Sequence, residues 1–297
     1  MIVGPGLGLD CAVLDFGDRY LVAKTDPITF ATAEIGWYAV QINANDIACF
    51  GAQPKFFLAT LLLPEIEKNA ELADDILEQI KSACRDLGAA LVGGHTEITY
   101  GLDRPIVVGT MLGEVAQDKL VTPAGAQVGD AVLLTKGYPI EAISIIAHEV
   151  EEAKEKFAEE FLARCQDFLH TPGISVVKDA QVALRAGQVT AMHDPTEGGI
   201  ATGLWELAEA SGQGIEVNRQ ALPLLPEGEI LCQTFNLDPL GCLASGALLL
   251  TAPASDAPRI QAALNAAQIP TFIIGKVIEG DGVNLPRPAR DEIAKLF

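Results

Sequence analysis

Three aspartates in the first fifty residues sit in apolar surroundings: Asp10 in GPGLGLDCAVLDF, Asp26 in YLVAKTDPITF and Asp46 in GWYAVQINANDIACFGAQP. A carboxylate in such a setting must be paired, hydrogen-bonded or bound to a cation, because burying it uncompensated is costly. Neither Asp10 nor Asp26 has an Arg or His beside it in sequence to neutralise it. Three lone carboxylates, each at a strand edge or within a helical pattern, point to a hard cation with oxygen ligands, and Mg²⁺ held for a phosphate substrate fits this best.

Other segments could address the same substrate. Gly4-Pro5-Gly6-Leu7-Gly8-Leu9-Asp10 combines glycines that allow close backbone approach to phosphates with a carboxylate able to hold their metal; a plain loop before a strand is the alternative. The helix required by a Walker or dinucleotide motif does not follow it, and GxxxxGK[ST] occurs nowhere. In Lys24-Thr25-Asp26 the cation and the anion share one strand face at period two, which suits a triphosphate and equally a surface ion pair. Gly93-Gly94-His95-Thr96-Glu97 is expected at the end of a buried strand, where α/β folds place active sites; a plain turn is the alternative. In His193-Asp194-Pro195-Thr196-Glu197-Gly198-Gly199, Thr196 is positioned to cap the helix that follows, whose N–H groups make an anion site. Lys136, ending the strand AVLLTK, is expected to reach a phosphate there. Neither a Gly-x-Ser-x-Gly elbow nor HExxH is present, so serine-hydrolase and zinc-protease chemistry lack their residues.

Alternating strand and helix patterns carry these residues, which predicts an α/β fold. Residues 11–16 and 20–25 flank Gly17-Asp18 as a hairpin, and a helix over 34–50 ends at Gly51. Residues 55–64 read as a buried strand. The apolar spacing of Leu72, Ile76, Leu77, Ile80, Cys84 and Leu87 predicts a helix over 69–87, followed by strands at 89–94 and 105–115. Small and polar residues from 116 to 129 mark a boundary between domains 1–118 and 119–297. The second half is expected to hold strands at 131–136, 246–251 and 271–278, with helices at 139–148, 151–168, 174–186, 197–211 and 254–267.

The 297 residues supply ample core, and a formal charge of −20 repels nucleic acid and anionic membranes. Six scattered cysteines without a CxxC pair read as small apolar residues of a reducing cytoplasm, not as a zinc site. With neither a signal-peptide pattern nor a long apolar run, the expectation is a cytoplasmic protein.

In order, these segments resemble the superfamily of aminoimidazole ribonucleotide (AIR) synthase PurM, hydrogenase-maturation protein HypE, selenophosphate synthetase and thiamine-monophosphate kinase. The similarity runs from the early D-C-A-V strand through the TD strand, the ND-I-A-x-x-GA-x-P helix, GG-x-T and LTKG to HDPTEGG, and covers nearly the whole chain. It implies a two-domain PurM-like fold. The N-terminal domain would pair with that of a second subunit into a dimeric β-barrel, and the C-terminal domain would be an α/β sandwich. It implies ATP and Mg²⁺ as cofactors, with Asp10, Asp26 and Asp46 on the metal. Gly8, Lys24, Gly93, Gly94, Thr96, Lys136, Asp194 and Thr196 would lie at the nucleotide, and Lys24, His95 and His193 would take catalytic roles. The activity implied is AIR-synthase-related or HypE-like phosphorylation of a small amide or carbamoyl oxygen. The alternatives are a thiamine-monophosphate-kinase-like phosphotransferase or an ATP-binding assembly factor in hydrogenase maturation without turnover. The partners expected are a nucleotide, a small-molecule or protein-borne acceptor and a second copy of the chain. His95 stands where most relatives carry an acidic residue, and Glu197 where HypE-like proteins tend to have Arg. HypE-like proteins end in a carbamoyl-accepting cysteine, whereas the last cysteine here is Cys242, so the usual cycle on the protein's own tail is not expected.

Overall fold

The structure, a computed structural model, describes residues 1–6, 8–29 and 32–297, so Leu7 of the glycine-rich stretch lies outside the described residues. It divides into two compact units, one of residues 1–5, 10–48 and 52–120 and the other of residues 6–9, 49–51 and 121–297.

The first unit is built on a five-stranded sheet in the order β1-β2-β5-β3-β4, formed by β1 (Ala12–Asp15), β2 (Arg19–Ile28), β3 (Gln53–Leu63), β4 (Ala90–Ile98) and β5 (Ile106–Ala116). The β1–β2 hairpin turns at Gly17, whose φ of +92° suits glycine. Only β3 and β4 pair in parallel, and α2 (Asn69–Leu87) supplies the crossover that such a pair needs. The core face of α2 carries Ile76, Ile80 and Cys84, as its periodicity predicts, and Gly88 closes it in the left-handed region with its N–H on the carbonyls of Arg85 and Cys84. Helix α1 (Ile35–Cys49) is of another kind: every residue from Tyr38 to Cys49 is buried, including Gln41, Asn43, Asn45 and Asp46. Two glycines of β5 let it lie close to the sheet. A Cβ on Gly109 would stand 2.4 Å from Asn43 Nδ2, and one on Gly113 would stand 2.3 Å from Ile47 Cγ2.

The strand expected to be buried at 89–94 differs in both length and setting. β4 continues to Ile98, so the GGHTE motif lies within it, and all its residues except Leu91 are exposed. Its place at the edge of the sheet, not its apolar sequence, decides its burial.

The second unit holds an antiparallel sheet in the order β7-β9-β6-β10-β8: β6 (Asp130–Thr135), β7 (Ala191–His193), β8 (Gly214–Val217), β9 (Leu249–Pro253) and β10 (Thr271–Ile278). Val132, Leu134, Ile200, Leu204, Leu207, Leu249 and Ile274 contribute to its core. Its helices are α3 (Ile140–Glu149), α4 (Glu151–Lys156), α5 (Glu159–Gln166), α6 (Val177–Ala186), α7 (Gly199–Ser211), α8 (Pro226–Phe235) and α9 (Ala257–Ala266). The single helix expected over 151–168 is broken: Phe157 and Ala158 are extended, and the Phe157 ring turns to stack on Phe161 with centroids 4.9 Å apart. Strands β7 and β8 and helix α8 were not foreseen, since the strands span only three and four residues and α8 follows a proline-rich segment.

Candidate functional site

On β2, Val22, Lys24, Asp26 and Ile28 share one face by the two-residue repeat, and Val22 and Ile28 are buried. Helix α1 covers that face. Asn43 Nδ2 donates to Ala39 O (2.8 Å) and to Asp26 O (3.4 Å), and Asp46, one turn further on, meets Lys24. The Lys24 ammonium lies 3.0 Å from Asp46 Oδ2 and 3.1 Å from Asp26 Oδ2. Burial lowers its pKa, but Asp46, Asp26 and Asp10 together outweigh burial and hold it above the ordinary lysine value. The three aspartates singled out in the sequence therefore converge electrostatically on one cation. Asp46 is deep, with its side chain 5% exposed, whereas that of Asp26 is 34% exposed and forms the rim.

Among the described residues no group of three or more His, Cys, Asp or Glu side chains forms a ready-made metal cage. All-oxygen carboxylate donors nonetheless suit Mg²⁺, which binds through one or two carboxylates and completes its shell with water and phosphate oxygens. In the structure the Lys24 ammonium is the cation between Asp26 and Asp46.

The GGHTE motif is not brought to this cluster within the chain. β5 and β3 separate β4 from β2, a distance of about 14 Å at ordinary strand spacing. Gly94 has φ +158°, and a Cβ there would meet Ala59 O at 2.0 Å, so the glycine is required by the close pairing with β3. His95 and Glu97 are exposed and stand 3.7 Å apart, and His95 lines an open cleft of about 450 Å³ together with Gly93, Gly94 and Thr96.

The remaining candidates belong to the second unit. Gly8 has φ +65° and lies against α7, where a Cβ would stand 2.8 Å from Glu206 O. His193, on β7, is buried, with Nε2 2.8 Å from Glu206 Oε2, and Asp194 beside it is buried as well. Thr196 does not cap α7. Gly198, with φ +73°, is the N-cap, and its N–H donates to Asp291 Oδ2 at 2.7 Å, so the cap comes from far along the chain. Lys136 also departs from expectation: its ammonium turns inward to Ser175 O (2.6 Å), Gly173 O (3.3 Å) and Asp179 Oδ1 (3.4 Å). Burial lowers its pKa and Asp179 opposes that shift. Glu206 and Asp291 escaped the sequence reading because nothing local marks them; each is identified only by the group it meets in the fold.

The profile of AIR synthase related protein, N-terminal domain, matches residues 8–115, and that of AIR synthase related protein, C-terminal domain, matches residues 127–286. Carbamoyl dehydratase HypE of Cupriavidus necator is 30% identical over 257 residues, covering 85% of this chain and 70% of its own length. A crystal structure of hydrogenase maturation protein HypE in complex with ATP superposes with a TM-score of 0.76 at 26% identity, covering 97% of this chain and 85% of the other. AaThiL complexed with AMPPCP and TMP superposes with a TM-score of 0.77 at 22% identity, covering 96% of this chain and 91% of the other, and shows the shared fold.

Proposed function

The chain belongs to the AIR synthase related family, and from that premise we propose that it is an Mg-ATP-dependent enzyme that activates a carbamoyl or amide oxygen by phosphorylation. The observation that carries this reading is the Lys24 ammonium set between Asp26 and Asp46 with Asp10 in electrostatic reach. Relatives named carbamoyl dehydratase and a HypE structure bound to ATP support the substrate class and the nucleotide.

Bound Mg²⁺ would supply charge neutralisation at the phosphates, with Asp10, Asp26 and Asp46 as its protein ligands. Lys24 stays cationic beside those carboxylates and offers a point charge to a phosphoryl oxygen. Asn43 ties α1 to the backbone of Asp26, which fixes the height of Asp46 over β2. Of the two histidines assigned to proton transfer, His193 is oriented by Glu206, whereas His95 is exposed on β4. The exposed edge of β4, with Val92 and Ile98 open to solvent and Tyr100 just beyond, supports a homodimer formed by the first unit. Six buried free thiols fit a cytoplasmic setting, and among the described residues no helix is long and apolar enough to cross a membrane.

The test is product analysis with ATP and carbamoyl compounds. Release of inorganic phosphate only when a carbamoyl acceptor is present is the expected outcome. Transfer of the γ-phosphate to a stable phosphorylated product would assign a kinase, and nucleotide binding without turnover would assign an assembly factor.

A further inference from the structure

Two of the six cysteines meet in the second unit. Cys232 lies in the last turn of α8, Cys242 follows the short turn Pro239–Gly241, and their sulfurs stand 3.8 Å apart with both residues buried. The local backbone enforces the meeting. Asn236, with φ +54°, ends α8 in the left-handed region, and the Leu237 N–H returns to Cys232 O (2.9 Å). The Gly241 N–H then donates to Asp238 O (3.0 Å), so residues 233–241 fold back on themselves and bring the two thiols together. The loop is anchored as well. The Asp238 N–H donates to Glu292 Oε2 (3.0 Å), and a Cβ on Gly199, at the start of α7, would stand 2.3 Å from Cys242 O.

The hydrogens can be placed. Cys242 donates its S–H to Asp238 O at 3.4 Å, and each thiol has one hydrogen, so Cys232 is the donor between the sulfurs. The bond with Cys232, and burial after it, hold the Cys242 thiol above its ordinary value, which slows exchange at neutral pH and leaves it faster in alkali. From 3.8 Å the sulfurs need to close by about 1.8 Å to reach disulfide length. Rotation about either Cα–Cβ bond moves a sulfur further than that. Gln233, Thr234 and Asn236 are exposed, so the turn that carries Cys232 has solvent on its outer side, and the end of a helix is where local opening costs least.

We propose that Cys232 and Cys242 are an oxidisable dithiol that closes to a disulfide in the folded chain, a covalent modification site that clamps the end of α8 to the segment facing the start of α7. The oxidant is a low-molecular-weight disulfide. A thiolate of the pair attacks one of its sulfurs and expels the other as a thiolate. The second cysteine then attacks the mixed disulfide and expels the remaining one. The Cys232–Cys242 bond forms as the oxidant's S–S bond breaks, and the protons and electrons of the pair leave on two small thiols. In a reducing cytoplasm such a bond is transient and responds to oxidising conditions. The site stands apart from the nucleotide reading.

The test is incubation of the reduced full chain with glutathione disulfide at about pH 8, followed by alkylation in denaturant and peptide mapping without reductant. Of the six thiols, Cys232 and Cys242 should be lost together, in a linked peptide that dithiothreitol separates again. The oxidised chain should keep its native circular dichroism and melt about 5 to 10 °C higher. Cys232→Ala should abolish the linked peptide. Should that variant lose its native circular dichroism, Cys242→Ala, expected to behave in the same way, replaces it. Six thiols remaining in the folded chain, a persistent glutathione adduct on either cysteine, or a linked peptide that joins other cysteines would overturn the proposal. So would a bond that forms only in denaturant, or one that lowers the melting midpoint.

Discussion

Replacing Asp46 by Asn removes one of the two carboxylates that touch the Lys24 ammonium. At 3.0 Å the pair's attraction is about 5 kcal/mol at an effective dielectric of about 20, before desolvation is counted. Asp26, at 3.1 Å, remains to hold the lysine, so the expected loss of folding stability is about 2 to 4 kcal/mol, near the low end for breaking a buried pair. Lys24→Met should cost a similar amount, because it strands a carboxylate whose side chain is only 5% exposed. The double variant should cost less than the sum of the two, with a coupling of about 2 kcal/mol in urea unfolding. Magnesium sharpens the test. If these carboxylates suit the ion, Mg²⁺ should stabilise Lys24→Met, where the competing ammonium is gone, and stabilise the double variant, which has lost Asp46, less. Additive single-variant losses, to within about 0.5 kcal/mol, would refute the buried pairing. Indifference of Lys24→Met to Mg²⁺ would refute the metal assignment.

Two further outcomes follow from the geometry. Gly113→Ala places a Cβ 2.3 Å from Ile47 Cγ2 and 2.9 Å from Gln53 O, so thermal unfolding should show a loss of about 1 to 3 kcal/mol as α1 is pushed off β5; an unchanged midpoint would contradict the close approach. The folded chain holds the Glu141 proton up to about pH 8, against an ordinary 4.5, so the folded state binds that proton more tightly than the unfolded state does. The contribution of this group to stability is therefore complete below about pH 4.5 and declines as pH rises towards 8, by about 1.4 kcal/mol per unit. Glu141→Gln should flatten that part of the urea-midpoint profile, and an identical slope in the variant would exclude Glu141 as its source.

What could be read from the sequence was what periodicity and isolated charge encode. Asp46 in an apolar helix and Asp26 two residues after Lys24 were informative because a lone carboxylate among apolar neighbours requires a partner, and the fold provides Lys24. Helix α2 was legible from its apolar spacing and its closing glycine. Features that depend on distant residues were not legible. The cap of α7 comes from Asp291, so Thr196 was a reasonable but mistaken choice. The inward contacts of Lys136, to the carbonyls of Gly173 and Ser175, lie beyond any sequence window as well. The exposure of β4 likewise follows from strand order, which an apolar stretch does not reveal.

In the proposed function Asp10, Asp26 and Asp46 serve a magnesium-bound nucleotide as well as Lys24. Calorimetric titration of ATP with and without Mg²⁺, on the wild-type chain and on Asp46→Asn, tests it most directly, with phosphate release followed on the same samples. Metal-dependent binding in the wild type that is lost in Asp46→Asn, while the variant keeps its native circular dichroism, is the predicted result. Equal binding by the two proteins, or ATP affinity indifferent to Mg²⁺, would contradict it and leave the cluster as an ion pair that only stabilises the fold.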